Sequence, residues 1–88
     1  MNDITVKKIE LMCHALGIES RNFRKGQTRH ECYRNYFIVS KPDELWEDII
    51  NDGYANKLIE NNSIIYSVNK AGMILLGRIY DLHFTERI

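Results

Sequence analysis

The stretch from Pro42 to Leu76 constrains this chain more than any other, because a helix signal, a glycine stop, an alternating hairpin and a second helix signal follow one another without a gap. Ser40 offers an N-cap, Pro42 falls in the first turn where its missing donor costs little, and Asp43 and Glu44 complement the positive end of the helix dipole. Leu45, Trp46, Ile49 and Ile50 then recur at helical spacing and Gly53 closes the run, so a helix is expected over 42–52. Two alternating segments follow, 54–60 and 63–68, separated by Asn61 and Asn62, which tolerate the positive φ of a tight turn. The expectation is a β-hairpin over 54–68. Asn69 caps a last helix over 70–82, in which Ala71, Ile74, Leu75, Ile79 and Leu82 make one apolar stripe and Met73, Leu76 and Tyr80 a second. A helix apolar on two sides needs cover on both, as a central core element or as a dimer seam built from Met73, Leu76 and Tyr80.

Upstream, Asp3 or Thr5 can cap a helix from about residue 4 to 16, with Ile9, Met12, Cys13 and Leu16 on its inward side and Gly17 as its stop. Residues 18–27 lack periodicity and read as an exposed loop, longer than the usual connection of about four to six residues. Thr28 to Val39 admits two readings. Thr28 with Glu31 is a capping-box pattern that would open a short helix, whereas the aromatic and β-branched alternation through Tyr36, Phe37, Ile38 and Val39 suits a strand. A strand over 34–39, after at most a brief helical turn, is preferred because the hairpin gains a third partner from it. The fold class expected is α+β, and 88 residues fit one domain, 1–88.

Twelve basic residues balance twelve acidic ones, so the overall charge does not mark a polyanion binder. The distribution is uneven. Arg21, Arg24, Lys25, Arg29 and Arg34 cluster before the central helix, and Asp43, Glu44, Glu47, Asp48 and Asp52 lie on or beside it. The basic segment, with Phe23 and Tyr33 interleaved as stacking platforms for unpaired bases, is the candidate nucleic-acid contact, against a solvated loop whose charges pair with the acidic helix. The acids Glu44, Glu47, Asp48 and Asp52 are the alternative contact, for a basic protein, against the plain reading of a wet helix face.

Cys13, His14, His30 and Cys32 have metal-ligating chemistry but poor spacing, since neighbours on a helix diverge by about 100° and no Cys-x-x-Cys pair is present. The preferred reading has no metal and no other cofactor, His83 included, with both cysteines as packed, reduced thiols. No phosphate-binding glycine loop and no nucleophile-base spacing is legible, so a binding protein is expected, not an enzyme. Neither a secretory leader nor a membrane span is apparent, and the expected location is the cytoplasm.

The order of Leu45, Ile49 and Ile50 before Gly53 and Tyr54, then Ile65-Tyr66-Ser67-Val68, then Asn69-Lys70-Ala71-Gly72 leading into Leu75 and Leu76, resembles the C-terminal half of a winged-helix domain over roughly residues 42–76. Together with the Ala15-Leu16-Gly17 helix end and the Arg34-Asn35-Tyr36-Phe37 segment, the chain also looks like small phage-encoded proteins, a likeness that names no activity. The winged-helix resemblance implies DNA binding, with the wing around Asn61 as a further contact. Its usual groove-entering helix is here acidic, and a duplex carries one negative charge per ~1.7 Å, so contact is expected through the basic loop instead. The competing expectation is a protein-interaction module, an inhibitor or adaptor acting through the acidic helix or the last helix, with a homodimer as one form of it.

Overall fold

The computed structural model describes residues 5–19, 23–24 and 26–86. Among them the chain forms three helices and five strands in the order α1 (Val6–Leu16), β1 (Arg29–Cys32), β2 (Phe37–Val39), α2 (Glu44–Asn51), β3 (Ala55–Glu60), β4 (Ser63–Val68), α3 (Lys70–Tyr80), β5 (His83–Glu86). The strands make two sheets. One is three-stranded and antiparallel, in the order β2-β4-β3, and the other is a parallel pair of β1 and β5.

Local chemistry accounts for the helix ends. Thr5 caps α1 by accepting from the Lys8 amide, and Gly17, at φ 71°, ends it with Ile18 N–H bonded to the Cys13 carbonyl and Gly17 N–H to that of His14. The other cap considered, Asp3, lies outside the described residues. α2 starts at Glu44, with Asp43 as its cap in place of Ser40, because the Asp43 carboxylate accepts from the Trp46 amide at 3.0 Å. α3 is capped by Asn69, whose side chain accepts from Gly72 N–H and donates to the Gly53 carbonyl. It ends at Tyr80, two residues short of the expected boundary, because Asp81 adopts the left-handed conformation at φ 56°.

The hairpin stands where its alternation places it. Asn61 and Asn62 both take positive φ, 51° and 65°, as a two-residue hairpin turn requires. β4 is central, and its Ile64, Tyr66 and Val68 are buried, with α1 and α3 packed on the strand and Trp46 of α2 on Tyr66. Trp46 stacks on Tyr66 with ring centroids 5.3 Å apart and 9° between planes, and Phe37, opposite Tyr66 in the ladder, also packs on Trp46 at 5.7 Å. Met12, Leu16, Trp46, Ile49, Tyr66 and Leu76 are fully buried, each apolar side chain contributing about 1.5–3 kcal/mol. Gly72 lies where α3 crosses the chain, and a Cβ there would collide with the Tyr54 carbonyl oxygen and the Val68 side chain.

Three expectations are corrected. Thr28 and Glu31 do not open a helix, since residues 29–32 are strand β1, held by parallel pairing with β5 and by the bond from His83 N–H to the Thr28 carbonyl. The strand expected over 34–39 is confined to Phe37–Val39, because Asn35 uses its side chain against β4 and Tyr36 N–H donates to the Ala15 carbonyl on α1. The seam of Met73, Leu76 and Tyr80 does not face outward. Met73 and Leu76 are buried in the chain's own core and Tyr80 is half-buried against Cys13, so the exposed large apolar residues of α3 are Ile74 and Ile79.

Candidate functional site

Residues 23–24 and 26–28, α3 and β5 border an open groove of about 970 Å³. Gln27 shapes the first wall. Its side-chain carbonyl accepts from Arg24 N–H at 2.9 Å, its amide donates to the Arg29 carbonyl at 2.8 Å, and its backbone N–H bonds the Arg24 carbonyl. This turn holds Arg24 on the rim. Lys70 and Arg78 come from α3, so segments far apart in sequence bring cations to one concavity, to which β5 adds the imidazole of His83. Arg29 stands beside it, its Cα opposite that of His83 in the parallel ladder. Asp81 and Glu86 also border the groove, the latter accepting from the Asn35 amide at 2.6 Å.

The floor is aromatic. Phe23 meets His30, Tyr80 and Phe84 with centroids 5.4–6.0 Å apart, and His30 and Tyr80 also contact Phe84. Phe23 is therefore part of a packed cluster and only half exposed, not a bare stacking platform. Tyr80 is pushed up to about 12 by burial first and then by its bond with the Cys13 sulfur. Burial likewise raises Cys13, and with the nearby Glu86 it raises Cys32 to about 11, so both buried thiols stay protonated and unreactive at neutral pH.

The other expected site residues are scattered. Arg21 and Lys25 lie outside the described residues. Arg34 serves the fold, since its guanidinium donates to the His14 carbonyl at the end of α1 at 2.7 Å and lies 5.6 Å from the Tyr33 ring centre. Tyr33 is exposed, with its ring against Gly17. Of the acids, Glu47 binds Lys57 of β3 at 2.9 Å and accepts from the Tyr66 hydroxyl at 2.6 Å, while Asp52 binds Lys8 of α1 at 2.9 Å. The acidic row is thereby reduced to Glu44 and Asp48 as exposed carboxylates on α2. His14 packs on Phe37 and His30 on Phe23. No three histidine, cysteine or acidic side chains among the described residues stand together as a metal set.

Sequence patterns do not single out Lys70, Arg78 and His83 as a group. None belongs to a charge run, and only the folding of α3 and β5 against the Arg24 turn unites them. Among the described residues no helix is long and apolar enough to cross a membrane. Among the described residues, these features define a small α+β protein with two sheets and a cation-rimmed groove. No protein-family model matches the chain, and neither the curated proteins nor the solved structures return a match.

Proposed function

We propose that this protein is a non-catalytic binder of single-stranded nucleic acid, with the groove between residues 23–24 and 26–28, α3 and β5 as its contact surface. The observation that carries this reading is the convergence of Arg24, Lys70, Arg78 and His83 around a half-buried aromatic floor. Cations on a rim track phosphates, and an apolar floor accepts a base that no longer stacks in a duplex. In this reading the frame is winged-helix-like, with β3 and β4 as the wing. The exposed Glu44 and Asp48 argue against α2 entering a major groove, and the segment between α1 and α2 supplies strands where a helix-turn-helix needs a helix.

The test is fluorescence anisotropy with a labelled single-stranded oligonucleotide and the matching duplex over a salt series. The single strand should bind in preference and weaken with salt. Replacing Arg24, Lys70 and Arg78 by Ala should flatten the log-log salt slope by about 0.7 for each phosphate that is no longer neutralised. Lys41→Ala, an exposed cation outside the groove, serves as the control. Absence of binding at low salt, or triple-variant affinity equal to the control's, would remove the proposal.

A further inference from the structure

The three-stranded sheet has one covered and one open face. Its inward residues Ile64, Tyr66 and Val68 are buried on the side that the helices cover, whereas on the outward face the register aligns Ile38, Ile65 and Leu58 in a row across all three strands. Ile38 and Leu58 are each 57% exposed, and Ile59, on the same outer strand β3, is 67% exposed.

β3 is also an edge, and the hydrogen-bonding phase of its outer side can be worked out. The side-chain amide of Asn35 accepts from Val68 N–H and donates to Val68 C=O, so the backbone groups of Val68 point away from β3, toward the β2 side. In an antiparallel ladder this direction alternates residue by residue. Ile64 and Tyr66 therefore share the direction of Val68, and Ser63, Ile65 and Ser67 point at β3. Their register partners Glu60, Leu58 and Asn56 answer them, which leaves the N–H and C=O of Lys57 and Ile59 directed to the open side. No described strand pairs there. Neither a proline nor a bulge protects this edge, the usual safeguards against pairing with another strand. Lys57 does not guard it either, because its ammonium is held by Glu47.

We infer that the occupant of this edge is a second copy of the chain, joined β3 to β3 about a two-fold axis at Leu58. A two-fold perpendicular to the sheet keeps inward residues facing inward ones, so only residues of like parity can meet. Centring the axis on Leu58 satisfies that condition and the backbone phase together. Lys57 and the second copy's Ile59 exchange both backbone bonds, and the reciprocal pair repeats them. Side chains agree: Leu58 meets Leu58, Asn56 meets Glu60 as donor and acceptor twice, and the row Ile38, Ile65, Leu58 continues through its symmetry mates into one apolar band across six strands. An arbitrary foreign strand would supply the backbone bonds but not this self-matching order.

Backbone bonds and apolar contacts are insensitive to screening. The two α2 helices, each packed on its own β3, carry like charges on one side of the joined sheet. Added salt should therefore preserve or strengthen the dimer, opposite in sign to nucleic-acid binding.

Sedimentation equilibrium over a concentration and salt series tests this. Wild type should be a dimer at high concentration. Leu58→Glu and Leu58→Lys should each be monomeric, since like charges then meet at the axis, and an equimolar mixture of the two should recover the dimer as a heterodimer. Ile59→Pro, which removes an outward N–H that β4 does not use, should also give a monomer, with circular dichroism confirming that each variant is folded. A wild-type monomer throughout, a dimer that survives Leu58→Glu, a mixture that stays monomeric, or a dimer that dissociates on adding salt would each overturn the inference.

Discussion

Glu47 is one of several carboxylates on a helix that sequence alone renders equivalent, and its neighbours single it out. Its carboxylate accepts from the buried Tyr66 hydroxyl and binds Lys57, and these bonds, the tyrosine's first, hold it below the usual carboxylate value of 4.5. Tyr66 is raised, by burial first and then by the same bond. A carboxylate lowered on folding stabilises the native state fully above its unfolded value, and that contribution fades as pH falls through the lower folded value. Denaturant midpoints measured as pH drops below 4.5 should therefore decline more steeply for wild type than for Glu47→Gln, which has no charge to neutralise. Equal slopes would show that the pair does not couple to folding. The same dependence on partners explains why Arg34 resembles a ligand contact in sequence. A cation's role depends on which carbonyl stands nearby, and its carbonyl, that of His14, is 20 residues away in the chain.

Among the elements, Asn35 ties two together without belonging to either. Its amide engages both backbone groups of Val68 on β4 and the carboxylate of Glu86 on β5, prolonging the β2 side of the ladder with a side chain. Asn35→Ala should lower unfolding free energy by about 1–3 kcal/mol, because it strands buried backbone groups that have no other described partner, and chemical denaturation would measure it. α1, α2, the hairpin and α3 were legible because caps, glycine stops and alternation are local signals, carried by Thr5, Gly17, Trp46, Asn61 and Asn69. β1 and β5 were not. Each is four residues of mixed polarity, and their parallel pairing is written in neither segment separately. The two stripes of α3 were legible as a pattern but not as an orientation. Burial of Met73 and Leu76 follows from where Gly72 lets the helix approach Tyr54 and Val68, a proximity that periodicity does not encode.

At the scale of the whole molecule, Cys13 on α1 and Cys32 at the end of β1 are internal reporters, both buried and both raised in pKa. If the two sheets unfold as one unit, alkylation in denaturant should label the two thiols with the same protection, followed by mass spectrometry of the separated peptides. Earlier labelling of Cys32 would mean that the parallel pair opens independently. The candidate site was half legible for a related reason: Arg24 stands in a visible basic run, while Lys70, Arg78 and His83 come to one groove only when β5 returns to pair with β1. That return has a consequence for a chain made from its N-terminus. β1 leaves the ribosome with most of the sequence still to be translated before its partner exists, whereas the hairpin and α3 find their neighbours almost at once. Synthesis therefore imposes an order on assembly, in which the hairpin forms before the groove, and a chain stalled ahead of β5 would present its hairpin without the groove's β5 wall.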